Sequence, residues 1–469
     1  MIDLQPLKTF ITALLYIILY VPLKAIQYLT HKTAATYLED ITHTDPKLLS
    51  ILNAKDIKEL CAIHGFGVHE HVVITEDGYL LAIHRIYKDK PSTLTRGKPV
   101  VYFHHGLLTN SELFVLGDTR ERSLPFRLVE QGYDVWLGNN RGNKYSRKHL
   151  KLKPSKRKFW DFSLDEFAIY DIPDTINYIL SYTGVPDLTY VGFSQGSAQC
   201  FASLSVNPQL RKKINKFIGL SPAMIPKDLN TDSPIVDFFI NSSPNMLFWF
   251  FGEYSILPSV LFWQRLFGNY YYEKVVDYSL KVLFCWESKN MSANQKLVGY
   301  PHMFSTTSVK TVVHWFQVIK DKNFIMYNDE MSANLKLNRC VSFPIESIQD
   351  VPMVLIYGES DLLIDIGKTK EKLWLNMANT RIIGVPGYEH MDLIWAEDVE
   401  YTVFQPVFQE IRDVYESRDN NNETVSVAVN EDTSSESGKD EESYMNVKVK
   451  ETFSGIESTV PGSQGSLFV

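Results

Sequence analysis

Two hydrophobic patterns alternate along the middle of the chain. Short apolar runs bounded by turn formers, at 99–103, 133–137, 188–191, 217–220, 351–357 and 381–385, predict buried strands. Residues 68–87 predict a β-hairpin, because Asp77-Gly78 separates two β-rich runs. Helical spacing fills the gaps at about 163–182, 195–206, 367–378 and 396–412. Strand followed by helix, repeated, predicts an α/β fold with a mostly parallel central sheet covered on both faces. The stretch from Leu220 to Val351 breaks this rhythm. It is far too long for a structureless loop in a compact domain, so it predicts an inserted helical cap. The expected core is therefore split into 55–221 and 349–415, with a cap over 222–348.

Both ends depart from this pattern. Thr9 to Leu23 carries no charge and is close to the length of apolar chain that crosses a bilayer. Asp3 and the lack of a small-x-small site argue against a cleaved signal peptide. A core helix is the plain alternative to a retained membrane or lipid-droplet anchor over residues 1–35. Lys24 and Lys32 follow the segment and Lys8 precedes it, which points to a cytosolic bulk if it spans. At the other end, residues 416–469 hold eleven acids and four bases, so most of the net charge of −8 sits there. With few clustered apolar residues, this stretch predicts a disordered acidic tail.

Composition narrows the class further. With 45% hydrophobic and 22% charged residues, the chain is neither wholly disordered nor fibrous. Its negative charge gives no footprint for nucleic acid. Cys61, Cys200, Cys285 and Cys340 have no metal-ligand spacing and are too few for a disulfide scaffold. They read as buried thiols, or as one structural disulfide. No metal and no organic cofactor is expected.

The strongest chemical signal is Gly192-Phe193-Ser194-Gln195-Gly196, which follows a strand pattern and opens a helix. That context turns a common pentapeptide into a candidate nucleophile elbow, with Ser194 presented at the carboxyl edge of the sheet. A serine nucleophile needs a base, and the base needs an orienting carboxylate. The strand at 351–357 ends in Gly358-Glu359-Ser360-Asp361, and the strand at 381–385 ends in a loop that reaches His390. Asp361 and His390 therefore fall at the same sheet edge as Ser194. Glu359 and Asp365 are rival acids, and His302 and His314 are rival bases without strand-end context. The oxyanion needs backbone N–H donors: Gln195, next to the nucleophile, and Leu107, in the loop after the 99–103 strand.

Taken as a set, the motifs at 105–108, 139–143, 159–167, 170–173, 192–196, 358–363 and 389–395 resemble the acid lipase family of α/β-hydrolases. That family includes gastric lipase, lysosomal acid lipase and the fungal steryl ester hydrolases. The likeness covers about residues 60–412, cap included. Gly-Phe-Ser at the elbow, the hydrophobic N-terminus and the acidic tail are most similar to the fungal steryl ester hydrolases. The resemblance implies Ser194, Asp361 and His390 as triad, and Leu107 and Gln195 as oxyanion donors.

Two further stretches bear on how a lipid is met. From Phe238 to Glu273, 13 of 36 residues are aromatic, which suits either a lipid-dipping lid or a core helix pair. Residues 144–158 hold eight Lys or Arg and no acid, which suits either a solvated loop or attraction to anionic headgroups. The expectation is a serine hydrolase on a lipid droplet or endoplasmic reticulum membrane, its catalytic domain facing the cytosol. It would cleave steryl esters, with acylglycerols as a second substrate class, through an acyl-enzyme. The alternatives are an acyltransferase using the same triad, or a non-catalytic lipid-surface tether.

Overall fold

In the computed structural model, residues 45–88, 97–227, 234–256, 260–328 and 341–416 are described. The expected anchor at 1–35 and the tail beyond 416 lie outside them, as does Cys340. Among the described residues no helix is long and apolar enough to cross a membrane.

Helices α1 (Pro46–Asn53) and α2 (Ile57–Ile63) precede the sheet. Each starts on an aspartate, Asp45 or Asp56, whose carboxylate accepts backbone N–H groups of the first turn. Their apolar faces, with Ile51, Ile57 and Leu60, are buried in the core, although no motif in the sequence drew attention to them.

The sheet is built from β1 (Gly67–Ile74), β2 (Tyr79–Tyr87), β3 (Val100–His104), β4 (Asp134–Leu137), β5 (Lys148–His149), β6 (Leu188–Phe193), β7 (Ile214–Leu220), β10 (Met353–Gly358) and β11 (Thr380–Val385). Its order is β1-β2-β4-β3-β6-β7-β10-β11, with β5 paired to β2. The β1–β2 hairpin turns at the expected Asp77-Gly78, and its strands are antiparallel. From β4 to β11 every pairing is parallel. Strands β3, β4 and β6 are buried along their whole length, which explains their continuous apolar runs.

Helix α3 (Ile172–Thr183) opens on Pro173 and ends at Gly184, whose φ of 75° closes it in left-handed geometry. Helix α4 (Gln195–Val206) is buried on nearly all sides. Its hydroxyls survive there because they bond to backbone: Ser197 to Gly192 O at 2.7 Å and Ser203 to Ala168 O at 2.9 Å.

Between β7 and β10 the chain leaves the sheet. This insertion contains α5 (Pro234–Asn241), α6 (Pro244–Phe251), strand β8 (Ser255–Ile256), α7 (Val260–Phe284), α8 (Ala293–Met303), strand β9 (Thr307–Ser308) and α9 (Val309–Asp321). The described first part of the aromatic stretch, through Tyr254, is two-faced. Leu247 is buried and Phe239, Phe248 and Phe251 pack beside it, while Phe238, Trp249, Phe250 and Tyr254 are exposed. Helices α10 (Ile366–Lys372) and α11 (Asp392–Trp395) follow β10 and β11. Cys61 and Cys200 are buried free thiols as expected. Cys285 is not: it is exposed, just past the end of α7, with φ 58°.

Candidate active site

Strand order decides where a ligand can reach the sheet. β3 has β4 on one side and β6 on the other. The chain leaving β3 turns toward β4, and the chain leaving β6 turns toward β7. Their carboxyl ends therefore open a crevice, as at the switch point of other doubly wound sheets. Leu107 lies on the loop after β3 and Ser194 on the turn after β6.

Ser194 has φ 53° and ψ −119°, a strained conformation for a residue with a Cβ. Its neighbours make the turn possible. A Cβ on Gly196 would lie 2.2 Å from the carbonyl oxygen of His104, so only glycine lets α4 start this close to β3. A Cβ on Gly192 would lie 2.7 Å from the Ser197 nitrogen. The Ser194 N–H is held by Leu220 O at 2.9 Å.

The three residues expected to act together do meet. His390 Nε2 lies 2.7 Å from Ser194 Oγ, and His390 Nδ1 lies 2.6 Å from Asp361 Oδ2. An ionised carboxylate only accepts, so Nδ1–H donates to Asp361 and Nε2 accepts from the Ser194 hydroxyl. Asp361 Oδ1 accepts the Leu363 N–H at 2.9 Å, which fixes the carboxylate. The His390 carbonyl is tied to Ser221 Oγ at 2.8 Å. All three side chains are buried.

The rivals lie elsewhere. Asp365 caps α10 by accepting the Lys368 N–H at 3.0 Å. Glu359 is exposed. His302 Nε2 pairs with Ile51 O, and His314 Nε2 with Ile325 O.

Leu107 and Gln195 both border the crevice beside Ser194. Neither backbone N–H has an intramolecular acceptor among the described residues. Two unpaired donors beside a serine hydroxyl are what a developing oxyanion requires. The Gln195 side chain is anchored by Trp315 of α9, whose indole N–H donates to Oε1 at 2.7 Å.

A polar network behind the Leu107 loop carried no role in the sequence reading. His104 sits between the Tyr102 hydroxyl at 2.7 Å and Asn140 Oδ1 at 2.8 Å. His105 Nε2 accepts the Asn140 N–H at 3.1 Å, so its Nδ1–H donates to Gly106 O at 2.8 Å. Burial pushes His104 down to about 4 and His105 down to about 3, so both stay neutral with their tautomers fixed. The next residue, Arg141, is fully buried and grips Asp171 at 2.6 and 2.8 Å and Asp77 at 2.5 and 3.0 Å. The 139–143 motif thus braces the loop that carries Leu107. The signal was present, but its partners lie tens of residues away.

Ser194 and His390 open into a cavity of about 290 Å³. Its walls are almost wholly apolar and come largely from the insertion, including Leu280, Leu283, Phe284 and Phe316. Such a site suits a hydrophobic ligand with one polar group to be held at the serine. Among the described residues no cluster of His, Cys, Asp or Glu could hold a metal ion.

Comparison with known proteins agrees with this architecture. The profile described as alpha/beta hydrolase fold matches residues 99–397, and that described as partial alpha/beta-hydrolase lipase region matches 57–118. A probable lipase of Schizosaccharomyces pombe is 48% identical over 373 residues, covering 78% of this chain and 79% of that protein. Human gastric triacylglycerol lipase is 34% identical over 364 residues, covering 75% of this chain and 89% of that one. Human lysosomal acid lipase/cholesteryl ester hydrolase is 32% identical over 373 residues, covering 76% and 90%. On these matches the chain belongs to the α/β-hydrolase fold family, among the lipases that include the gastric and lysosomal acid enzymes, as a carboxylic ester hydrolase.

Proposed function

We propose that the chain hydrolyses steryl esters at a lipid surface through an acyl-enzyme on Ser194. The observation that carries this reading is His390, bridging Ser194 and Asp361 at the wall of a cavity that is almost entirely apolar. His390 Nε2 takes the hydroxyl proton as Ser194 Oγ attacks the ester carbonyl carbon. The Leu107 and Gln195 N–H groups receive the developing oxyanion. His390 then returns the proton to the sterol oxygen as the C–O bond breaks. Water, deprotonated by the same nitrogen, attacks the acyl carbon and releases fatty acid and free Ser194. Asp361 accepts from Nδ1–H throughout and stabilises the imidazolium.

The outer surface supports the lipid-facing half of the reading. Trp249, Phe250 and Tyr254 are exposed, and Glu253, next to Tyr254 in the chain, pairs its carboxylate with Arg157 at 3.1 Å. Arg157 lies within the basic stretch, where Lys151, Lys153, Lys156 and Lys158 are also exposed. Exposed aromatics beside a row of cations suit a membrane or droplet interface, with each cation near an anionic surface worth about 1 kcal/mol. The uncharged 9–23 segment would add attachment to a lipid droplet or the endoplasmic reticulum membrane, with the catalytic domain in the cytosol. A second reading, triacylglycerol as preferred substrate, is favoured by the gastric relative, which is as similar as the lysosomal one.

The test is direct competition. Purified protein is given steryl oleate and trioleoylglycerol in one emulsion, with Ser194→Ala as blank. Faster release of sterol than of diacylglycerol supports the proposal, and the reverse order supports the second reading. Removing residues 1–32 should release much of the protein from membranes and spare hydrolysis of a short soluble ester. A truncated protein that still pellets fully and loses that activity refutes the anchor.

A further inference from the structure

Hydrogen bonds alone do not fix the His390 ring. Its two nitrogens are held by Asp361 and Ser194 at 2.6 and 2.7 Å. These bonds set where the ring sits but restrain tilting about the line through the nitrogens only weakly. Packing on the ring must supply the rest. Phe193, the last residue of β6, lies 5.2 Å away at 56°. Trp286 lies 5.0 Å away and nearly parallel, at 10°.

Phe193 belongs to the sheet, whereas Trp286 comes from the insertion, two residues past the end of α7. Phe284 stacks on it at 4.6 Å. The indole is 6% exposed, and its N–H has no acceptor among the described residues. A hydrogen bond of its own is therefore not what keeps it in place. The backbone around it turns sharply, with φ of 58° at Cys285 and 52° at Ser288.

Two carboxylates flanking His390 hold that turn. Glu389 accepts the Glu287 N–H at 2.9 and 3.1 Å and the Ser288 N–H at 2.8 Å. Asp392 accepts from the Asn290 side-chain amide at 2.8 Å, and the same amide reaches Gly387 O at 2.9 Å. The turn carrying Trp286 and the loop carrying His390 are laced together beside the stacked pair.

We propose that Trp286 is a positioning residue for His390 and that Glu389 is the clasp that keeps it stacked. The proposal rests on His390 being the base of the hydrolysis. Binding of a short ester does not depend on the tilt of the imidazole. Proton transfer between Ser194 Oγ, His390 Nε2 and the leaving oxygen does. The positioning defect therefore belongs in kcat, and for Glu389, which does not line the cavity, in kcat rather than KM.

The full chain is assayed as wild type, Trp286→Ala, Trp286→Phe, Glu389→Ala, the double variant with both alanines, and Ser194→Ala. The substrate is p-nitrophenyl butyrate, and a thermal melt is recorded for each protein. Trp286→Ala is expected to lose about 10- to 100-fold in kcat; the indole also lines the cavity, so its KM rises as well and kcat is the readout of positioning. Trp286→Phe should recover most of it, since a phenyl ring can still stack. Glu389→Ala should lose part, and the double variant should be no worse than Trp286→Ala, because the clasp acts through the indole. A Trp286→Ala kcat within about twofold of wild type, or additive losses in the double variant, overturns the proposal. Should Trp286→Ala fail to fold, Glu389→Ala decides: unchanged kcat overturns it, and reduced kcat at unchanged KM supports it. Activity in Ser194→Ala would overturn the underlying assignment, a failure distinct from normal activity in the Trp286 variants.

Discussion

Gly196→Ala is the smallest change that should separate folding from catalysis. The added Cβ would lie 2.2 Å from the His104 carbonyl oxygen, 2.8 Å from its carbon and 2.9 Å from the His105 oxygen. All three are backbone atoms, so no rotamer can relieve the clash. Restoring ordinary contact requires the first turn of α4 to move from the end of β3 by roughly 1 Å. Those two elements carry the two halves of the site: Ser194 and Gln195 on one, the Leu107 loop on the other. The same shift that admits a methyl group therefore separates the proposed nucleophile, Ser194, from the proposed oxyanion donor, Leu107. Overpacking of this kind costs about 1–3 kcal/mol of stability. Misplacing a reacting group by about 1 Å costs on the order of 100-fold in rate. Thermal melting should thus show a folded protein with a modestly lowered Tm, and hydrolysis of p-nitrophenyl butyrate should fall far more than stability does. Gly367→Ala is the control, since its nearest neighbour is a side-chain oxygen at 3.3 Å on a solvent-side helix. A folded Gly196→Ala protein with kcat near wild type would refute the reasoning that ties α4 to β3.

The two aspartates after β10 should behave in opposite ways. Asp361→Asn loses on the order of 10⁴-fold in kcat, because the amide cannot hold the same His390 tautomer. Asp365→Asn should leave kcat and Tm near wild type, since asparagine caps a helix as well as aspartate; equal rates for the two would contradict the geometry. Acid should destabilise the fold. His84, His104, His105 and His314 are pushed by burial from 6.5 to about 3, about 4, about 3 and about 4. Below about pH 6.5 the unfolded chain binds protons at these sites that the folded chain refuses. Stability is then fully present above pH 6.5 and is lost as pH falls toward 4, so Tm should drop between pH 7 and pH 5. A Tm that is flat or rising over that interval would contradict this.

The sequence was most legible where burial is continuous. Runs such as Val100–His104 and Leu188–Phe193 stand between two covering layers, so the apolar pattern and its turn residues bound each strand within a residue or two. Strand ends then placed Ser194, Asp361 and His390 at one edge. What escaped reading depends on partners distant in sequence. Arg141 looks like one more cation until Asp77 and Asp171 close on it. Lys144 looked like part of a solvated basic run, yet it pairs with the fully buried Glu112 at 2.5 Å. Arg147, in the same run, stacks on Trp160 at 5.3 Å. Trp286 carries no periodic signal at all, because its place against His390 is set by the turn after α7 and by Glu389. In the aromatic 238–273 stretch, α5 and α6 carry one face against Leu247 and another exposed to solvent, a division that sequence periodicity over so short a segment does not resolve.

The central claim, that Ser194 carries the acyl group, is tested most directly by trapping the intermediate. Wild-type protein is mixed with p-nitrophenyl butyrate, quenched in acid within the first turnovers, digested and read by mass spectrometry. The account predicts a butyryl group on the peptide containing Ser194, and neither adduct nor turnover in Ser194→Ala. An adduct on another residue, or wild-type turnover in Ser194→Ala, would contradict it.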